Sequence, residues 1–506
     1  MATATTTLDL ARSVAPVPRR LFGAFVEHMG RGVYTGIYEP GHPTADADGF
    51  RGDVLDLVRE LGVTVVRYPG GNFVSGYRWE DGIGPKERRP ARLDLAWHAV
   101  ETNQFGLDEF IRWTRRAGVE PMLVTNAGTR GIADALDLVE YANHPSGTSL
   151  SDARVRNGSP EPHGVRIWCL GNEMDGPWQL GHKTPLEYGR IAAELARALR
   201  QFDPDLELVA CGSSTPTMPT FGEWEMTVLE QSYELVDFIS LHAYFEESDG
   251  DIGSFLASSI VMDRYIEKVV AIADAVGDRL GQKRRMQLSI DEWNVWYLSR
   301  FQARLHPTEW LVADRISEDD YTVADAVVVG SLLISLLKHS DRVRSACLAQ
   351  LVNVIGVIRT EPGGAAWRPA TFHPFALTSR FARGSVVALD IEAPAIDTEL
   401  HGSVRAVDGV ATCDQETGDA ALFLVNRDPR EDASISVGLG LGQFNGARVV
   451  DARVMSDKDP HACNTRDDTE RVLPRRLDGL EMTDGTLHVP LPPASWAIVR
   501  LALQAS

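Results

Sequence analysis

Two glutamates stand directly after apolar runs of the sequence and could act as a catalytic pair. Glu173 follows the run GVRIWCLGN, and Glu292 follows MQLSID. Cleavage of a glycosidic bond needs two carboxyl groups in different environments, one protonated to assist the leaving group and one ionised to attack the sugar or activate water. Each glutamate alone also fits a plainer role, Glu173 as a solvated loop residue or helix-cap partner and Glu292 as a salt-bridge partner. As a pair, they are candidates for acid–base and nucleophilic chemistry.

Further polar and aromatic residues stand at the ends of other apolar runs. Amide, hydroxyl and carboxylate groups can bind sugar hydroxyls, and aromatic faces can stack on sugar rings. A lone histidine is more often a hydrogen-bonded core residue, and tryptophans are more often packing residues. The candidates are Glu27, His28, Arg67, Asn72, Trp97, Asn126, Asn172, His242, Tyr244, Asp291, Trp296 and Gln350.

Other chemistries lack their sequence signatures. The chain contains no HExxH, GxSxG or GxxxxGK[ST] motif, and its thirteen histidines show no strong metal-ligand spacing. Its five cysteines are widely scattered without a CxxC pair, which argues against a disulfide framework or a structural zinc site and fits a reducing compartment. We therefore expect no metal and no cofactor.

Eight apolar runs are predicted to form the strands that position these residues. Continuous apolar runs bounded by turn residues are typical of strands buried on both faces of a parallel sheet. Strands and helices that alternate about eight times favour a (β/α)₈ barrel, with a doubly wound sheet as the rival. In a barrel, functional residues collect at the carboxyl ends of the strands. The runs are residues 21–28, 63–71, 120–128, 164–173, 206–214, 236–245, 286–294 and 344–356.

Amphipathic helices are predicted between several of these runs. Val54, Leu57, Val58 and Leu61 recur at helical spacing. A helix in LDEFIRWTRRAG should end at Gly118, and Thr184-Pro185 is typical of an N-cap followed by proline at the first helical position.

The chain changes character near residue 381. Short alternating runs separated by Gly, Asp and Pro predict an antiparallel β-sandwich, jelly-roll-like in type. The first eighteen residues could add a strand to it. We therefore predict a catalytic barrel at residues 19–380 and a sandwich of residues 381–506 together with residues 1–18.

The amino-acid composition limits the kinds of partner that the protein can bind. The formal net charge of −21 should repel nucleic acid and anionic membranes and tolerate neutral sugars. The N-terminus lacks the apolar core of a secretory signal, and the longest apolar stretch, which includes Asp325, is too short to span a bilayer. We expect a cytoplasmic protein that binds neither nucleic acid nor membranes.

Several sequence strings resemble a known family. WCLGNEMDGPWQ, which contains Glu173, and SIDEWNVWY, which contains Glu292, resemble the two catalytic motifs of clan A glycoside hydrolases. FGAFVEHMGRGVYTGIYEP, VRYPGGNFVSGYRWEDGIGP, SLHAYF and FHPFALTSRF are similar to the α-L-arabinofuranosidases of glycoside hydrolase family 51. The resemblance covers nearly all of residues 20–380 and is mostly architectural beyond them.

The resemblance implies a retaining, exo-acting enzyme that releases terminal α-L-arabinofuranosyl units from arabinan, arabinoxylan and their oligosaccharides, commonly as a homohexamer. It implies that Glu173 is the acid/base and Glu292 the nucleophile, so their carboxyls should lie about 5–5.5 Å apart. The alternatives are another clan A retaining glycosidase, such as a β-xylosidase or endo-glucanase, and a non-catalytic carbohydrate-binding barrel. By the same resemblance, the furanose is held by Glu27, Asn72, Asn172, Tyr244 and Gln350, the carboxylates are supported by Arg67 and His242, and the aglycone walls are Trp97 and Trp296.

Overall fold

The computed structural model describes residues 2–304, 309–439 and 447–502. Within them, strands and α-helices are labelled here in chain order. The strands are β1 (Ala2–Leu8), β2 (Ser13–Pro16), β3 (Gly23–Phe25), β4 (Val65–Tyr68), β5 (Arg92–Asp94), β6 (Ala99–Glu101), β7 (Glu120–Val124), β8 (Ile167–Cys169), β9 (Glu207–Ala210), β10 (Phe238–Phe245), β11 (Gln287–Val295), β12 (Val343–Leu348), β13 (Arg359–Thr360), β14 (Ala366–Trp367), β15 (Ser385–Val387), β16 (Ala395–Thr398), β17 (Gly402–Arg405), β18 (Val407–Asp414), β19 (Asp419–Asn426), β20 (Ala433–Leu439), β21 (Arg448–Met455), β22 (Arg475–Arg476), β23 (Glu481–Thr483), β24 (Thr486–Leu491) and β25 (Ser495–Ala502). The helices are α1 (Gly52–Leu61), α2 (Leu107–Ala117), α3 (Ile132–Asn143), α4 (Ser149–Arg156), α5 (Pro185–Phe202), α6 (Glu223–Ser232), α7 (Ile252–Leu256), α8 (Ser259–Arg279), α9 (Leu298–Arg304), α10 (Val323–Lys338) and α11 (Phe372–Phe381).

A closed parallel barrel forms the larger part of the fold. Its strands follow the order β3-β4-β7-β8-β9-β10-β11-β12, and β12 pairs with β3 to close the ring. Each strand overlaps one of the eight predicted apolar runs, so the predicted barrel is confirmed and the doubly wound sheet is wrong. Where β12 pairs with β3 to close the ring, Gly23 allows the two strands to approach closely, because a Cβ there would lie 2.5 Å from the carbonyl oxygen of Ala346.

The predicted helix signals are also observed. The Thr184 side chain caps α5 by accepting from the Glu187 N–H, and the Glu187 carboxylate accepts from the Thr184 N–H at 2.9 Å. α2 ends at Gly118, whose φ of 76° lies in the left-handed region that glycine adopts without a steric cost. α1 buries Val54, Leu57, Val58 and Leu61.

The helix α10 lies between the barrel and the β-rich region. Every residue from Val323 to Leu337 is buried, as expected of a helix that is apolar on all sides. It packs against α8 and α11 and also against β18, β19 and β25. Among the described residues, no helix is long and apolar enough to cross a membrane.

The C-terminal region is all-β, as predicted. Its described residues form a seven-stranded sheet in the order β2-β15-β18-β19-β25-β21-β22 and a four-stranded sheet in the order β1-β20-β24-β23. Both sheets contribute to one apolar cluster. The N-terminal segment adds one strand to each sheet, with β1 parallel to β20 over its whole length. The boundary at residues 380 and 381 stays a prediction, and residues 440–446 and 503–506 of this region lie outside the described part.

Candidate functional site

The barrel brings the predicted site residues to one face. Asn172 and Glu173 follow β8, and Gln350 follows β12. Glu292 lies within β11, which continues to Val295, one residue beyond the predicted run 286–294. The strands are parallel and closed into a ring, so residues at their carboxyl ends converge although they are far apart in sequence.

Glu292 is buried and accepts two short hydrogen bonds. Arg67 donates through Nη1 to Oε1 at 2.7 Å, and the Tyr244 hydroxyl donates to Oε2 at 2.7 Å. Burial raises the pKa of Glu292 above its ordinary value; the positive charges of His242 and Arg67 oppose this, and the charge of Glu173 adds to it. The two donors hold the carboxylate in one orientation.

Glu173 also has hydrogen-bond partners on both of its oxygens. His242 Nδ1 lies 2.8 Å from Oε1, and Trp178 Nε1 donates to Oε2 at 2.7 Å. Its backbone φ of 45° lies in the left-handed region, a costly conformation for a residue with a Cβ.

The two glutamates are close neighbours. One oxygen of each carboxylate and one ring nitrogen of His242 all lie within 4.8 Å of one another. This closest approach of two oxygens fits a pair of carboxyl groups about 5–5.5 Å apart, the separation typical of retaining glycosidases. Among the described residues, these three also form the one cluster with a spacing that could hold a metal ion.

A buried charge network lies beneath the pair. His242 Nε2 lies 3.0 Å from Asp291 Oδ1, and Arg67 Nε lies 3.6 Å from Asp291 Oδ2. Burial alone would raise the pKa of Asp291, but Arg67 and His242 lower it below its ordinary value. Burial alone would lower the pKa of His242, but the surrounding carboxylates raise it well above its ordinary value. His242 and Arg67 thus face the carboxylates of Glu173, Asp291 and Glu292.

Glu27 forms another wall of the site. The backbone N–H of Phe73 and the indole N–H of Trp97 donate to its Oε1 at 2.9 and 2.8 Å, and the Gln350 amide donates to Oε2 at 3.3 Å. Burial raises the pKa of Glu27 to about 8, since the hydrogen bonds offset only part of the desolvation. Gly71 permits this contact, because a Cβ there would lie 2.6 Å from Glu27 Oε2.

The side-chain amides of Asn172, Asn72 and Gln179 form a series of contacts that begins at Arg67. Arg67 donates through Nη2 to Asn172 Oδ1 at 2.7 Å. The Asn172 amide lies 3.5 Å from Asn72 Oδ1, which also accepts from the Gln179 amide. Asn72 and Asn172 are therefore held with fixed amide orientations beside the glutamates.

Aromatic rings line the remaining side. The rings of Trp296 and Tyr244 meet edge to face with centroids 5.0 Å apart. Trp97 and Trp296 both contact Phe301, at 6.0 and 5.6 Å between ring centroids. The position of these tryptophans on the aglycone side stays a prediction, and the indole contact of Trp97 with Glu27 places it beside a predicted furanose-binding residue.

Two candidates lie outside this cluster. His28 Nδ1 pairs with Glu101 at 2.7 Å, and its Nε2 lies 2.8 Å from the Tyr68 hydroxyl. The Asn126 side chain accepts from the backbone of Gly128 and Thr129 and so shapes its own loop. The side chains of these two residues contact partners other than the glutamate pair.

Sequence reasoning missed two residues of the site. Trp178 contacts Glu173 and Gln179 contacts Asn72, although both stand in the string WCLGNEMDGPWQ. The available signal was an aromatic and an amide residue within six positions of a candidate acid. Periodicity could not show that this loop turns back over the glutamate.

The chain is similar to known enzymes over nearly its whole length. Residues 57–258 match the family described as Alpha-L-arabinofuranosidase 1 domain, and residues 291–495 match Alpha-L-arabinofuranosidase C-terminal domain. An intracellular exo-α-(1→5)-L-arabinofuranosidase of Streptomyces lividans is 56% identical over 99% of this chain and 76% of that protein. An exo-α-(1→6)-L-arabinofuranosidase of Bifidobacterium longum is 51% identical over 96% of this chain and 95% of that protein. The solved structure of a family 51 α-L-arabinofuranosidase from Bifidobacterium longum matches with a TM-score of 0.94 and 49% identity, over 98% of this chain and 99% of that one.

Proposed function

The chain belongs to the α-L-arabinofuranosidases of glycoside hydrolase family 51, and we propose that it is a retaining, exo-acting enzyme of this kind. It releases terminal α-L-arabinofuranosyl residues from arabinan, arabinoxylan and their oligosaccharides. The observation that carries the proposal is the pair Glu173 and Glu292, with carboxylate oxygens within 4.8 Å at the mouth of the barrel. The close approach of these oxygens supports a retaining mechanism, because an inverting one needs carboxyls far enough apart to admit a water between carboxyl and sugar.

In the first step, Glu292 attacks the anomeric carbon. A bond forms between its carboxylate oxygen and that carbon, the glycosidic C–O bond breaks, and Glu173 transfers its proton to the departing oxygen. The hydrogen bonds from Arg67 and Tyr244 stabilise the ionised Glu292, and Arg67 keeps this charge in place without taking part in proton transfer.

In the second step, Glu173 acts as a base. It removes a proton from a water molecule, the water oxygen bonds to the anomeric carbon, and the ester bond to Glu292 breaks. His242 lies between Glu173 and Asp291, so its charge stabilises the Glu173 carboxylate that the first step leaves behind. Two inversions return the sugar to its original anomeric configuration.

The sugar is held by the groups around the pair. Asn72, Asn172 and Gln350 supply amide donors and acceptors, and Glu27 near neutral pH supplies a protonated carboxyl that can donate to a hydroxyl. Trp97 and Trp296 offer aromatic faces to the leaving part of the substrate.

Anomeric analysis tests this activity. Proton NMR of early hydrolysis of 4-nitrophenyl α-L-arabinofuranoside should show α-L-arabinofuranose before mutarotation. The matching β-D-xyloside and β-cellobioside should react far more slowly. Preferred cleavage of either would support the alternative glycosidases, and binding of arabino-oligosaccharides without turnover would support a non-catalytic barrel.

Azide rescue separates the two glutamates. Glu173→Ala with an activated aryl substrate should accumulate the glycosyl-enzyme, and azide should release it as the α-configured azide after two inversions. Glu292→Ala should lose activity by on the order of 10⁴-fold, and any azide product should be β-configured after a single inversion. Exchange of the two product configurations would reverse the assigned roles.

The linkage needs direct product analysis, because the relatives quoted above are named for (1→5) and (1→6) cleavage. We further propose that the enzyme acts inside the cell, which the names of several relatives support.

We also propose a homohexamer, from the family resemblance alone. Its mass in sedimentation velocity should be about six times the chain mass of 55.5 kDa. A monomer in sedimentation velocity would contradict it.

A further inference from the structure

A groove of about 710 Å³, called here the side groove, lies on the same barrel face as the glutamate pair. It runs along β5, which among the described residues pairs only with β6 and so has a free edge. Its walls come from the segments that follow β4, β7 and β8, three consecutive barrel strands. None of the residues assigned above to catalysis or sugar binding lines it. The wall residues include Phe73, Tyr77, Arg92, Leu95, Arg130 and Leu180.

One layer of residues separates the side groove from the catalytic site. Phe73, in the groove wall, donates its backbone N–H to Glu27 on the other side. Asp94, also in the wall, accepts from the backbone N–H of Trp97, whose indole contacts Glu27. A chain that leaves the catalytic site on this face therefore has the side groove directly beside it.

Four of the ionic residues that line the side groove form two ion pairs with one another. Arg92 donates to Asp81 at 2.9 Å, and Arg130 donates to both oxygens of Glu80 at 2.7 and 2.8 Å. These pairs present hydrogen-bond donors and acceptors with little net charge, which suits a neutral ligand rich in hydroxyl groups.

Exposed apolar side chains complete the lining. Leu93 and Leu95 are 58% and 61% exposed along the groove. Exposed leucines next to paired ions match a ligand with both C–H faces and hydroxyl groups, as a sugar chain has.

We propose that the side groove binds the part of an arabino-oligosaccharide or arabinan chain that continues beyond the cleaved bond. This inference rests on the proposed function, because it requires a substrate longer than the unit in the catalytic site. It makes the enzyme sensitive to the length of its substrate even though it removes one terminal sugar at a time.

Kinetics on substrates of increasing length test the proposal. The wild type should show kcat/KM rising about five-fold or more from arabinobiose to arabinopentaose, as contacts in the groove are added. The variant carrying Leu93→Ser and Leu95→Ser should lose most of that rise and keep its activity on 4-nitrophenyl α-L-arabinofuranoside. Leu400→Ser, at a leucine 68% exposed in the β-rich region, is the matched control and should behave as the wild type does.

Three results would overturn the proposal. The first is a wild-type kcat/KM that does not depend on length, and the second is an equal loss on the aryl and long substrates in the double variant. The third is a change of mass in light scattering for the double variant, which would show that a second copy of the chain covers these leucines. Failure of the proposed function is distinct, since it would abolish wild-type turnover of the aryl substrate itself.

Discussion

At the residue scale, each reactive carboxylate of the site depends on the donors around it. The Tyr244 hydroxyl donates to Glu292 Oε2, and removing it with Tyr244→Phe should lower kcat by on the order of 10–100-fold, since a hydrogen bond to a charged group contributes about 1.5–3 kcal/mol. The measurement is kcat on an activated aryl arabinofuranoside. Tyr141→Phe makes the same chemical change at a buried hydroxyl bonded to Asp108, and it should leave kcat unchanged. Equal kcat values for Tyr244→Phe and the wild type would remove Tyr244 from the site.

The raised pKa of Glu27 predicts how the stability of the protein depends on pH. Its pKa of about 8, raised mainly by burial, lies above the ordinary value of 4.5, so the folded protein keeps a proton that the unfolded chain has lost between these pH values. The wild type should therefore lose stability as pH rises from 5.5 to 8, by about 3 kcal/mol from this group, and Glu27→Gln should not. Thermal melts across this range provide the measurement, with the exposed Glu87→Gln as control. A constant difference in Tm between the wild type and Glu27→Gln would contradict the assignment.

At the element scale, α10 joins the barrel to the β-rich region at a position that only glycine fits. A Cβ on Gly330 would lie 2.3 Å from the Trp496 ring in β25. Gly330→Ala should therefore destabilise the protein by about 1–3 kcal/mol, although alanine is the better helix former by about 1 kcal/mol. Gly253→Ala in α7 is the control, because the nearest atom to its Cβ would be 3.5 Å away. A Tm for Gly330→Ala at or above that of the wild type would show that the helix moves to accept the methyl group.

A buried ionic cluster joins the same two regions. Asp408 in β18 accepts from Lys338 in α10 at 2.6 Å and from Arg427 at 2.6 Å. Burial alone would raise the pKa of Asp408, but the two cations hold it far below its ordinary value. Asp408→Asn should cost about 3 kcal/mol at neutral pH, because it leaves two cations without their counter-ion. The wild type loses this contribution as pH falls below about 4, so its Tm should approach that of the variant there. Asp56→Asn, in an exposed pair with Arg59, should change Tm little at either pH.

At the scale of the whole molecule, the barrel and the β-rich region depend on each other. A fragment of residues 19–380 would expose the face of α10 that packs against β18, β19 and β25. Deletion of residues 2–16 would remove β1 and β2 and uncover the edge of β20. We expect both changes to reduce soluble yield and activity, measured by size-exclusion chromatography and aryl-substrate turnover. A fully active, monodisperse fragment of residues 19–380 would show that the barrel folds without its partner.

The barrel strands and several helices were predictable because their signals are local. Continuous apolar runs, the spacing of Val54 to Leu61 and the Thr184-Pro185 cap depend only on neighbouring residues. Strand limits were less certain, since β12 ends at Leu348 although the apolar run continues to residue 356. The eight run ends also indicated most of the site, because parallel strands place their carboxyl ends together.

The contacts between those residues required the tertiary structure. Arg67 joins Glu292 and Asn172, which are 225 and 105 residues away in sequence, because closing the ring places β4, β8 and β11 around one axis. His28 stands next to Glu27 but turns to Glu101, and Trp178 turns back to Glu173. The hydrogen-bond partner of each of these side chains depends on which buried donors and acceptors lie close together once the barrel has closed. Periodicity along the chain carries no information about these partners.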